Sequence, residues 1–283
     1  MLRTRVLTAC FLIPIVFGCI YVGGPLFIAL VGVLLTLAEI EFCRLMLRRD
    51  FRPTLVFGLG MVWLFLLDAR FAASGVSRPG LAARFATAGM LRPGMALILL
   101  SSLAWQLFHR RGSPVADWAL TVSSGLYLGL CGGCLIGLRG LWDGLQWTLV
   151  VVLSIMLADS GAYFVGRAWG RRKLAPTLSP GKTWEGYVAG VISGGLLTAL
   201  LASLLGKTAG PATEVSGVHG LVLGLLIAIF APLGDLAVSM IKRYAGVKDS
   251  GTIIPGHGGA LDRVDSILWA AVIGYYYVLL FAS

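Results

Sequence analysis

Between Lys248 and Asp265 the sequence reads KDSGTIIPGHGGALDRVD, with three aspartates, two cations, one histidine and four glycines in one short stretch. That set suits two kinds of chemistry. Glycines let backbone N–H groups come close to an anion. The PGHGG turn, with Gly256, Gly258 and Gly259, therefore reads as an anion cradle with Lys242, Arg243, Lys248 and Arg263 around it in sequence. His257 is the histidine of this turn, which argues against zinc; it either donates to a phosphate or holds the loop's shape. Asp262 and Asp265 stand three apart at the start of an apolar helical run, so they share one side of it. Two carboxylates this close repel unless a cation sits between them. An oxygen-only cluster suits a hard cation such as Mg²⁺. The alternative is that both aspartates cap the helix start, where carboxylates are favoured.

Two further aspartates lie inside apolar runs: Asp159 in IMLADSGAYFVG and Asp235 in IFAPLGDLAVSMIKR. A charged aspartate at mid-membrane costs about 2.5–3.5 kcal/mol on insertion scales, so it needs a partner or a wet cavity. A helix-to-helix ion pair is one reading of each. At 100° per residue, Ser239, Lys242 and Arg243 fall on the Asp235 face and make a polar stripe toward one end of the helix. A second polar stretch, GRAWGRRKLAPTLSPGKTWEG (166–186), contains SPGKT. It is not a phosphate-binding P-loop: Pro176 stands where the first glycine belongs, and no strand is expected ahead of it. What survives is Lys182 with the hydroxyls of Ser179 and Thr183 just before a helix, either as anion contacts or as a helix cap with ordinary loop charge.

The elements that must position these groups are apolar. The chain has 283 residues, 58% hydrophobic and 13% charged, where a soluble domain carries about 25% charge. A span needs about 20 apolar residues. The expected fold is an all-α polytopic membrane protein of about nine transmembrane helices, near 6–23, 25–43, 54–69, 93–108, 117–138, 145–166, 186–206, 217–240 and 265–282. The third and fourth are the shortest and most polar. The charged N-terminus leads into an apolar run without a convincing cleavage site, so it reads as an uncleaved first helix. An N-in, C-out arrangement puts seventeen of the 23 Lys and Arg residues on the inner side, as cytoplasmic loops require. Both polar loops then face the cytoplasm, in the C-terminal half. The expected division is an N-terminal helical region, 1–140, and a C-terminal catalytic region, 141–283. The net charge of +10 marks inner loops and anionic partners; with no soluble basic module, nucleic acid is excluded as a partner. Cys131 and Cys134 mimic a redox or zinc pair, but no second pair accompanies them, and they read as small helix-packing residues.

The motif S-M-I-K-R-(4)-K-D-S-G-(3)-P-G-H-G-G-(2)-D-R-V-D, from Ser239 to Asp265, resembles the signature of the phosphatidate cytidylyltransferases, or CDP-diacylglycerol synthases. ADSGAYFVGR (158–167) and SPGKTWEG (179–186) resemble that family's other motifs. The likeness covers roughly the last half of the chain. Ala260 departs from it, standing where the family usually has a larger aliphatic residue. The resemblance implies an inner-membrane, multi-pass enzyme, with its site facing the cytoplasm, that joins CTP to phosphatidic acid and releases pyrophosphate. It implies Mg²⁺ held around Asp235, Asp262 and Asp265, with Asp249 close by and room for a second, monovalent cation. Asp235, Lys242, Arg243, Asp249, Asp262 and Asp265 are the expected catalytic residues. Asp159, Arg167, Ser179, Lys182, Thr183, Ser239, Lys248, Gly256, His257, Gly258, Gly259 and Arg263 are the expected substrate contacts. The expected partners are CTP, phosphatidic acid and membrane lipids, with self-association allowed.

Overall fold

The computed structural model describes residues 2–73, 91–109, 112–210, 212–251 and 258–282, with side chains from Cys10 onward. Its helices are α1 (Leu2–Val22), α2 (Gly24–Leu47), α3 (Leu55–Ala73), α4 (Leu91–Phe108), α5 (Pro114–Gly140), α6 (Gly144–Trp169), α7 (Trp184–Ala209), α8 (Gly217–Tyr244) and α9 (Leu261–Phe281). Each apolar segment read from the sequence falls on one of them. Seven of them, leaving out α1 and α3, are long and apolar enough to cross a membrane. The last helix starts at Leu261, ahead of the expected position 265, because the Arg263 and Val264 amides already donate to Ala260 O at 3.0 and 3.1 Å.

One departure from a purely helical chain lies between α6 and α7. β1 (Lys173–Ala175) and β2 (Ser179–Thr183) pair antiparallel, with Lys173 opposite Thr183 and Ala175 opposite Ser179. A strand does therefore precede SPGKT, contrary to expectation. These strands are too short, and their register too irregular, to leave an alternating apolar pattern. The P-loop reading still fails, since Ser179–Thr183 is itself extended strand.

The chain forms two compact units: Met1–Gly140 with Tyr244–Val264, and Leu141–Arg243 with Asp265–Ser283. Within the first, α3 packs on α5 along a ridge of glycines spaced four apart. A methyl on Gly125 would lie 3.0 Å from Gly58 O, one on Gly129 2.8 Å from Phe65 Cδ2 and 3.0 Å from Val62 Cα, and one on Gly133 3.2 Å from Phe65 O. Lipid offers no hydrophobic drive between helices, so close packing through small residues holds them together. Cys131 and Cys134, on the same helix, are buried free thiols.

The second unit repeats the device. Gly186, Gly190 and Gly194 of α7 meet Ala158, Ala162 and Gly166 of α6, while Gly220 and Gly224 bring α8 against Thr198 and Ala199 of α7. Pro232 lies inside α8, and in the turn before it the Tyr187 hydroxyl donates to Ile229 O at 3.0 Å, tying α7 to α8.

These ridges set the stability of each unit. Gly129→Val is expected to destabilise the protein by about 1–3 kcal/mol through overpacking. Gly18→Ala, where a methyl meets nothing within 4 Å, is expected to be neutral or slightly stabilising. Thermal unfolding midpoints in detergent check both.

Candidate active site

In the second unit, the residues singled out from sequence converge on Asp235. The Lys182 ammonium, at the end of β2, lies 2.6 Å from Asp235 Oδ2, with the two side chains 28% and 31% exposed. The Ser239 hydroxyl, one turn along α8, donates to Asp235 Oδ1 at 3.3 Å. Asp159, from α6, is within electrostatic reach of both Lys182 and Asp235. The lysine's charge acts on both carboxylates, which offsets their mutual repulsion. The polar stripe runs on from Ser239 to Lys242, both buried, and to Arg243, whose Nε donates to Leu178 O in the hairpin turn at 3.3 Å. Arg167, one turn beyond Tyr163 on α6, donates to its hydroxyl at 3.0 Å.

Asp265 approaches the same region by backbone packing. Gly234 lets α8 press against the start of α9: a methyl there would collide with Asp265 O and lie 2.6 Å from Trp269 Cδ1. Asp235 and Asp265 therefore spring from adjoining stretches of backbone. Asp265 is buried, and its Oδ1 accepts from Ser266 N at 2.6 Å.

The hairpin is tied to α7 through two side chains, those of Thr183 and Glu185. Thr183 is the N-cap, its Oγ1 accepting from Gly186 N at 3.2 Å. The Glu185 carboxylate accepts from the amides of Arg171 and Arg172 at 3.0–3.2 Å. Thr183 thus takes the capping role that the sequence left open beside substrate contact, and Ser179 sits in β2 opposite Ala175.

In the first unit, Asp262 is held at the opening of α9. Its Oδ2 accepts from Ser250 N at 2.8 Å and Gly259 N at 3.2 Å, and lies 2.9 Å from Ser250 Oγ. Gly258 has φ +80°, and a methyl there would lie 3.0 Å from Asp262 Oδ2; both facts call for glycine. Lys248, Asp249 and Arg263 are exposed beside it. Gly256 and His257 lie outside the described residues. Within each unit, no group of three or more His, Cys, Asp or Glu side chains among the described residues is gathered as a ready metal site.

Sequence reasoning passed over Glu39 and Glu41 in α2, both buried. Glu39 Oε1 accepts from Ser124 Oγ at 2.8 Å, while Oε2 has no hydrogen-bond partner among the described residues. Glu41 accepts from Ser250, Ala260 and Leu261. The signal was available: AEIEF sets two acids inside an apolar run, the same anomaly that drew attention to Asp159 and Asp235.

Apolar helices that carry carboxylates, joined by basic loops with glycine turns, define a polytopic membrane protein equipped to handle anions. The chain belongs to the cytidylyltransferase family, whose model matches residues 3–281. It is 33% identical over 287 residues to a phosphatidate cytidylyltransferase of Bacillus subtilis (strain 168), covering 99% of each chain. It is similar at 33% identity over 296 residues to the enzyme of that name from Synechocystis, covering 98% of this chain and 96% of that one. A Haemophilus influenzae phosphatidate cytidylyltransferase matches at 46% identity over 138 residues, 48% of this chain and 47% of that protein.

The N-cap at Thr183 contributes to stability in its own right. Thr183→Ala is expected to cost about 1 kcal/mol of stability, and Thr183→Ser to restore most of it. Thermal unfolding of the two variants in detergent measures the cap directly.

Proposed function

We propose that the chain condenses CTP with phosphatidic acid at the inner membrane, giving CDP-diacylglycerol and pyrophosphate. The observation that carries this reading is the likeness to the Bacillus phosphatidate cytidylyltransferase along 99% of both chains. The cluster around Asp235 supports it: a lysine, a hydroxyl and carboxylates sit together at the loop end of α8. In this reading all nine helices span, with the N-terminus inside and the C-terminus outside. Both polar loops then face the cytoplasm, where CTP is.

The reaction needs positioning and charge more than a base. A phosphate monoester has a second pKa near about 6, so the phosphatidate oxygen is already anionic at neutral pH. That oxygen attacks the α-phosphorus of CTP, the bond to the β-phosphate oxygen breaks, and pyrophosphate leaves with the electron pair. The repulsion between the two anionic substrates is the main obstacle. Lys182, Lys242, Arg243, Lys248 and Arg263 are the cations assigned to the phosphates. Asp159, Arg167, Ser179, Thr183, Ser239 and the glycines at 256, 258 and 259, with His257, are the remaining contacts assigned.

The donors on offer near Asp235 are oxygens: the Asp235 and Asp265 carboxylates on adjoining backbones and the Ser239 hydroxyl. That set fits a hard divalent cation rather than zinc or copper. Asp235, Asp262 and Asp265 are the residues assigned to hold Mg²⁺, with Asp249 beside them and a second, monovalent cation as a further member. The metal would supply charge stabilisation at the transferring phosphate. Lys182 is ion-paired with Asp235. A partly exposed pair of this kind is worth about 0–1 kcal/mol, so Lys182 can exchange Asp235 for a phosphate at little cost.

Purified protein is expected to convert radiolabelled CTP into chloroform-soluble CDP-lipid with release of pyrophosphate, and to stop when EDTA removes divalent ions. Asp235→Asn and Asp265→Asn are expected to lower kcat by about 10³-fold or more while the protein still inserts in membranes. Release of CDP in place of pyrophosphate would mark a CTP-dependent lipid kinase instead. Full activity in both variants would remove the metal assignment.

A further inference from the structure

Glu41 projects from α2 into the first unit and is 1% exposed. Burying a carboxylate is costly unless donors meet it, and here three do. Ser250 Oγ donates to Oε2 at 2.7 Å, Leu261 N to Oε2 at 2.9 Å, and Ala260 N to Oε1 at 3.0 Å. Two of these donors are backbone amides at the opening of α9, where an acid also meets the positive end of the helix dipole. The backbone is moulded to this one side chain: a methyl on either Gly251 or Gly259 would collide with the Glu41 carboxylate.

The link does not end at Glu41. Ser250 is shared: its Oγ lies 2.7 Å from Glu41 Oε2 and 2.9 Å from Asp262 Oδ2, and its amide donates to Asp262 Oδ2 at 2.8 Å. Gly259 closes the other side, its amide 3.2 Å from the same oxygen. A helix in the N-terminal half thus fixes the side chain of an aspartate in the C-terminal motif. We propose that Glu41 is a positioning residue for the nucleotidyl transfer: it anchors Ser250 and the first turn of α9, and through Ser250 it sets the orientation of Asp262. The inference rests on the function proposed above for the transfer itself. It gives α2 a part in the chemistry without contact with either substrate.

Three variants test this, with Glu39→Gln as a control of equal burial on the same helix. Glu41→Gln keeps the shape but places an N–H donor where Ser250 and Leu261 already donate. Ser250→Ala leaves the amide bonds to Glu41 intact and removes only the shared hydroxyl. Hydrogen–deuterium exchange of the 258–264 amides is expected to speed up at least about tenfold in Glu41→Gln, the scale of a lost buried charged hydrogen bond. Glu39→Gln is expected to leave it unchanged. In the CTP-to-lipid assay kcat should fall at least about tenfold in Glu41→Gln, with KM for phosphatidate within about twofold, since orientation rather than binding is lost. Ser250→Ala should fall less, and the double variant no further than Glu41→Gln, because both act along one path.

Unchanged exchange in Glu41→Gln overturns the proposal, as does faster exchange with kcat intact. Full activity in Ser250→Ala overturns it too, and remains measurable if Glu41→Gln does not fold. If wild-type protein forms no CDP-lipid, the proposed function fails, while the exchange measurement still decides whether Glu41 holds this segment.

Discussion

An acid inside an apolar helix must find a donor, and that constraint organises the polar parts of this protein. Transfer of an unpaired carboxylate out of water is so unfavourable that the group either neutralises or recruits partners. Here the helices carry the acids and the loops supply the donors. Asp117 of α5 accepts from Arg52 N at 2.6 Å. Glu185 of α7 takes the Arg171 and Arg172 amides. Asp235 of α8 takes Lys182, and Glu41 of α2 takes Ser250 and the opening of α9. Each bond satisfies a costly group and at the same time fixes a loop that has little apolar surface of its own to bury.

Such pinning works only if the helices stay put, and their hold on each other is steric. The glycine ridges of α5 and α7 bring backbones to within a methyl group of contact. Packing at that distance leaves helices little freedom to slide or turn. Gly234 belongs to the same logic: the absence of one side chain puts its own backbone, next to Asp235, against that of Asp265. The glycine next to Asp235 is therefore a spacing device, and a larger residue there would push the two helices apart.

Much of this was legible in the sequence, and what was not has a physical cause. Among the described residues each apolar run lies on a helix, because long stretches of Leu, Val, Ile and Phe admit little else where water is absent. Asp235 was readable because a charge in an apolar run is anomalous wherever it falls, Ser239 because it shares the helical face of Asp235, and Lys182 because it stands in a polar stretch between two apolar runs. Their grouping was not: Lys182 reaches Asp235 from a hairpin that runs Lys173–Thr183 and leaves no periodic trace. Glu41 shows the deeper limit. Its local sequence marks it as unusual, but its donors lie 209 and 219–220 residues further along the chain, and no spacing rule connects positions so remote. The glycine ridges lay between these cases. Their four-residue spacing is plain in the sequence at 125, 129 and 133 and at 186, 190 and 194, but which partner helix each ridge meets is a tertiary fact.

The choice of donor also shapes the electrostatics. Glu41, Asp117 and Glu185 are satisfied chiefly by backbone N–H groups, not by lysine or arginine side chains. An amide donor satisfies a carboxylate without consuming a cation. These three acids therefore do not neutralise a basic side chain locally, and the excess of basic over acidic residues gives the chain a net charge of +10. For a protein whose two substrates are a nucleoside triphosphate and an acidic lipid, that surplus is the useful quantity. It raises the local concentration of both anions and opposes the repulsion between them. Asp235 is the exception that fits the rule. Its partner is a true cation, held in a half-exposed pair of small net worth, so it is the acid in this set whose partner can leave without unsettling the fold.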